Sequence, residues 1–162
     1  MKTLLSLLSC FLVFTISSPA QIMMEKNKLI EEYGPAYTTG IAENGSEYLS
    51  YEKVEEGLNG DVIIKTTLYY FIRYNDSIDV CTHVKLILPS SETPFYILWL
   101  NDKMEYLENM KWKDPTSEYS YKVQVKEPFL ALTIWIDGEG VTETFEETDS
   151  FSKTYYLDPN KY

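Results

Sequence analysis

Apolar and polar positions change their period several times along the chain, and each change marks an element. Over residues 21–33, Ile22, Met23, Leu29, Ile30 and Tyr33 fall on one helical stripe, joined by the stem of Lys26. Gly34 and Pro35 follow as cap and stop, so this stretch predicts a helix. Residues 36–46 read as a loop closed by the turn pair Asn44-Gly45, and residues 48–53 alternate as a strand. Residues 61–74 alternate over a long span, Val62, Ile64, Thr66, Leu68, Tyr70 and Ile72 against Ile63, Lys65, Thr67, Tyr69, Phe71 and Arg73. Asn75-Asp76-Ser77 turns the chain, and residues 78–88 return as the second arm of a hairpin. Strict alternation puts Val80, Thr82, Val84, Leu86 and Leu88 on its core face. The same rule puts Asp79, Cys81, His83 and Lys85 together on the other.

Ser91, Thr93 and Pro94 then start a second helix, expected to end near Asp102 and to bury Phe95, Leu98 and Trp99. From Lys103 the period returns to two, as a strand or an irregular hairpin. Asp114-Pro115-Thr116-Ser117 is a turn, residues 119–126 alternate, Glu127-Pro128 breaks them, and residues 129–136 form the most apolar strand. Residues 137–140 read as a tight turn. Residues 141–162 are acidic, with an edge strand readable at 141–145 and a frayed end. The predicted fold class is α+β: an antiparallel sheet with two helices on one face, in the order αβββαβββ, the other face partly wet. Residues 21–140 make one domain, organised as two similar halves without residue identities strong enough to demonstrate a repeat.

The chain opens with Lys2 and an apolar run over residues 3–16, followed by Ser18-Pro19-Ala20. This predicts a signal peptide, residues 1–20, cleaved before Gln21. An uncleaved anchor and lipidation at Cys10, after Leu7-Leu8-Ser9, are the alternatives. The protein is thus expected to be exported, periplasmic or secreted, with no membrane span after cleavage. The mature chain keeps Cys81 alone, so no internal disulfide is expected. The net charge of −11 argues against nucleic-acid partners, and Arg73 is the lone arginine.

The candidate chemistry is thin. Cys81 and His83, the lone histidine, stand parallel on one strand, which suits neither a nucleophile pair nor a metal site, and no catalytic residue, metal ligand or cofactor is assigned. The expected state is a packed thiol and a half-exposed imidazole. The fourteen tyrosines are the stronger feature. Tyrosine joins an apolar ring to a polar tip and suits recognition surfaces. Tyr69, Phe71, Cys81, His83, Tyr119 and Tyr121 form the expected binding face. The function expected is a non-catalytic module that binds a protein or cell-envelope component through this Tyr/Trp-rich sheet face. The alternative is a small hydrolase using paired carboxylates or a divalent metal.

Tyr33-Gly34-Pro35, Tyr48-Leu49-Ser50-Tyr51, Tyr69-Tyr70-Phe71 before a cysteine strand, and the spacing of Leu100-Asn101 and Trp112 resemble small uncharacterised exported proteins of Bacteroidota, of the flavobacterial type. The resemblance implies a location rather than an activity. Over the first third, the helix ending in Gly-Pro before a Tyr-rich strand is similar to small envelope lipoproteins and β-lactamase-inhibitor-like modules. The element order also resembles the small, acidic type III secretion chaperones, although a signal peptide is at odds with that role and no closing helix is readable.

Overall fold

Two long strands rich in β-branched and aromatic residues set the middle of the fold. The computed structural model describes residues 21–42, 45–57, 60–74 and 77–136. Helix α1 spans Lys26–Tyr33 and is followed by strands β1 (Thr38–Ile41), β2 (Glu47–Glu56), β3 (Val62–Tyr74) and β4 (Ile78–Pro89). A 3-10 turn at Ser90–Glu92 leads into α2 (Thr93–Lys103), then β5 (Glu105–Tyr106), β6 (Lys111–Lys113), β7 (Tyr119–Lys126) and β8 (Phe129–Ile136). All eight strands form one sheet in the order β1-β2-β3-β4-β8-β7-β6-β5, with every neighbouring pair antiparallel.

Among the described residues each helix is therefore followed by four strands, where alternation alone predicts three. The extra strand of the first half is β1, inside the expected loop. In the second half, the stretch after α2 is a hairpin of two short strands, turned by Asn109 and Met110 with φ of 50° and 61°. The strand order reads the same from both edges. β4 and β8 meet at the centre, with Leu86 opposite Leu132.

Two clusters occupy the two faces. The first holds Leu49, Tyr69, Phe71, Cys81, Val84, Leu86, Leu132 and Ile134, joined by Leu29 of α1 and Tyr96 and Leu100 of α2. Each fully buried leucine contributes about 1.5–3 kcal/mol of transfer free energy. The second cluster is smaller: Ala42, Tyr48, Leu68, Tyr70 and Ile87, with Phe129 against it.

Three local expectations change. The first helix starts at Lys26 rather than 21, because Met23 and Met24 exchange backbone bonds with Cys81 instead of turning helically. In α2 the buried residues are Tyr96 and Leu100, while Phe95 and Leu98 face outward. A segment apolar on every side carries no periodic signal for its direction. The centre of the second face is buried rather than wet, as Tyr70, His83 and Ala131 show. The expected signal peptide at 1–20, turn at 137–140, edge strand at 141–145 and frayed end lie outside the described residues.

Candidate functional site

Thr82 decides the fate of the cysteine–histidine pair. Tyr70 pairs with His83 but Phe71 pairs with Cys81, so Thr82 is an extra residue in β4, a β-bulge. The bulge breaks the alternation that would put both side chains on one face. Cys81 joins the first cluster, whereas His83 stands over the second beside Tyr70. The Cys81 thiol lies against the His83 carbonyl oxygen, not its ring. Burial pushes this thiol up, which disfavours the nucleophilic thiolate.

His83 is fully buried, contrary to the half-exposed expectation. Its ring stacks on Tyr70 with centroids 4.2 Å apart and an interplanar angle of 11°. The Thr82 hydroxyl lies 3.2 Å from its Nδ1. Burial first, and then the positive charge of Lys85, lower its pKa to about 3. The imidazole is thus neutral at physiological pH.

The other expected binding residues are mostly interior. Tyr69, Phe71 and Tyr121 belong to the first cluster, and Tyr119 packs against it partly buried. Tyr69 contacts Tyr33 and Tyr51 at 6.0 and 5.8 Å between centroids, in a small aromatic nest closed by the Tyr51 hydroxyl donating to the Gly34 carbonyl. Burial pushes the Tyr69 and Tyr121 hydroxyls up, to about 12 for Tyr121. The six residues therefore do not make one exposed face: five are buried, and His83 lies opposite the rest.

A carboxylate cluster lies above the β2–β3 end. Glu92 is fully buried, and Lys65 bridges to Glu55 at 2.6 Å. Burial, then the charges of Glu55 and Glu92, push the Tyr96 hydroxyl up. Gly57 closes over this group: a Cβ there would meet Glu92 Oε1 at 2.6 Å. The cluster ties the 3-10 turn to the sheet. Among the described residues, no group of three His, Cys, Asp or Glu side chains is placed to hold a metal ion.

An open concave site lies at the β1 edge. A cleft of about 570 Å³ is lined by Thr39, Ile41, Ser46, Glu47, Arg73 and Asp79, among others. Arg73 holds Asp79 at 2.7 Å, and Lys26 pairs with Glu47, so the carboxylates of the cleft are both ion-paired. The Ala42 N–H donates to Ser46. In an antiparallel ladder, bonded positions alternate, so Gly40 and Thr38 also face β2 and the backbone groups of Thr39 and Ile41 point outward. Gly40 is required by packing: a Cβ there would run into the Tyr48 hydroxyl and ring. Ile41 is 70 % exposed and Tyr37, just before the strand, 53 %. Sequence reasoning passed over this edge; the β-formers Tyr37, Thr38, Thr39 and Ile41 were its only signal, interrupted by Gly40.

Compared with known proteins, the chain matches no family model, no curated protein and no solved structure. Among the described residues, no helix is long and apolar enough to cross a membrane.

Proposed function

We propose that this chain is an exported, non-catalytic module that binds a protein or cell-envelope component, and that it does so along the open β1 edge. The partner adds an extended segment beside Thr38–Ile41, with its side chains reaching into the adjoining cleft. In this reading both helices cover the first face of the sheet and leave the edge free.

The outward backbone groups of Thr39 and Ile41, beside a cleft that contains Arg73 and Asp79, carry the proposal. A strand edge that is unpaired among the described residues supplies main-chain affinity, and neighbouring pockets supply specificity. The thiol and imidazole, on opposite faces and both buried, favour binding over catalysis. The export assignment rests on the leader-like residues 1–20.

The test is a photo-crosslinking residue placed in cells at Ile41, and as a control at Val62, which is 79 % exposed away from the cleft. A defined adduct at Ile41 but not at Val62 is expected. Equal labelling at both sites, or substrate turnover by the purified mature chain without any partner, would overturn the proposal.

A further inference from the structure

The cleft beside β1 holds two ion pairs, and one of them turns its cation outward. Ile41, Glu47 and Phe71 form one row across β1, β2 and β3, and Arg73 follows two residues beyond Phe71 on the same face. Phe71 is buried and floors this end of the cleft. Arg73, the lone arginine, donates from Nε to Asp79 Oδ1 at 2.7 Å. That bond takes a single one of the five N–H groups of a guanidinium. The others, on Nη1 and Nη2, make no hydrogen bond among the described residues. The Arg73 side chain is 61 % exposed against 24 % for Asp79, so a ligand in the cleft meets the guanidinium rather than the carboxylate.

Asp79 holds the plane of the guanidinium in place, and the Nη edge still matches the two oxygens of a carboxylate. Glu47, tied to Lys26 in the row of Ile41, turns an acid away from its own row and leaves Arg73 as the place for one. The cleft runs from Thr39 and Ile41 on β1 to Arg73 and Asp79 on β3 and β4. Gly45 lines it too, and a Cβ there would meet nothing within 4 Å, so the rim is open at this point.

We propose that the segment that adds beside β1 delivers a carboxylate, from an Asp or Glu side chain or from its chain end, to the Nη groups of Arg73. This rests on binding along the β1 edge and names the chemistry of what binds there. The segment pairs with the outward groups of Thr39 and Ile41, and past Ile41 it enters the cleft. The net charge of −11 makes the contact selective. An acidic segment finds no diffuse attraction to such a chain, so a preference for a carboxylate must come through a local cation. Arg73→Lys keeps the charge but loses the planar fork.

The experiment has two arms. In cells, the photo-crosslinking residue at Ile41 is combined with Arg73→Gln and with Arg73→Lys. The Ile41 adduct should fall about tenfold in both, the effect of one lost charge-assisted hydrogen bond. The unfolding midpoint of the purified variants should stay near that of the native chain, because the Arg73–Asp79 pair is exposed. An adduct at native yield in both variants would overturn the carboxylate contact and leave the β1 edge reading standing. No adduct at Ile41 even with Arg73 in place would remove that reading, and the contact with it. In vitro, the mature chain is titrated with short peptides of alternating Thr and Val whose last residue is Glu with an amidated end, Gln with an amidated end, or Gln with a free carboxylate. The Glu amide or the Gln acid should bind about tenfold more tightly than the Gln amide, and the better of the two identifies the source as side chain or chain end. The gain should vanish in Arg73→Gln. Equal binding by all three peptides, or a gain that survives Arg73→Gln, would overturn the contact.

Discussion

His83 is a neutral, stacked core residue, and two consequences follow at the scale of one side chain. Removing the ring in His83→Ala leaves a cavity beside Tyr70 and should cost about 2–3 kcal/mol in chemical denaturation. The second consequence is a pH dependence. The native imidazole takes a proton only near pH 3, whereas in the unfolded chain it does so near 6.5. Between those values the unfolded state binds the extra proton, so stability falls as pH falls, with a slope approaching about 1.4 kcal/mol per unit from this residue. Tyr70 from β3, Trp135 from β8 and Lys85 on its own strand are the groups around it. Equilibrium unfolding between pH 6.5 and 5 should show this slope in the native sequence and lose it in His83→Phe. Cys81 should resist alkylation in the folded protein and react once denatured, read by mass change, because its thiol is buried and held protonated. The composition pointed to both residues, but not to their separation. Val80, Val84, Leu86 and Leu88 alternate without a break, and a bulge at Thr82 leaves no mark on that pattern.

Elements were legible where burial is one-sided and the period strong. The β3–β4 and β7–β8 hairpins follow from alternation and from Asn75-Asp76-Ser77 and Glu127-Pro128. The outer strands did not follow: β1 and β5 are too short for a period to develop. The orientation of α2 was hidden for the opposite reason, since Phe95, Tyr96, Ile97, Leu98 and Trp99 are all apolar or aromatic. Trp99 still reaches Tyr121, 6.2 Å between centroids, and Trp112 donates from Nε1 to Asn101 at 2.9 Å, so the helix is pinned through one side. The β1 edge depends on close packing over Tyr48. Gly40→Ala should therefore destabilise by about 1–3 kcal/mol in thermal or chemical unfolding, because the Tyr48 ring must leave its place against Tyr70. Ile41→Lys should leave stability within about 0.5 kcal/mol, since the side chain is exposed. It should nonetheless abolish partner capture, because an edge lysine opposes strand addition.

The described residues form one antiparallel sheet of two halves, each a helix and four strands, meeting at β4 and β8. The two-part organisation was visible in the order of periods along the chain, though not the strand count of each half. The aromatic residues are shared between the two faces and the surface. Two clusters rather than one absorb Tyr69, Tyr70, Phe71, Tyr96, Trp112 and Tyr121, and the aromatic residues left exposed include Tyr33, Tyr37, Tyr74 and Tyr106. Recognition is therefore assigned to an edge rather than to a face. Amide hydrogen exchange tests this most directly, first with the isolated mature chain and then with the partner captured at Ile41. In isolation, Thr39 and Ile41 should exchange fast while Gly40 and Ala42, bonded to β2, exchange slowly; with the partner, Thr39 and Ile41 should become protected. Amides of Thr39 and Ile41 that remain unprotected in a stable complex would contradict binding along the β1 edge.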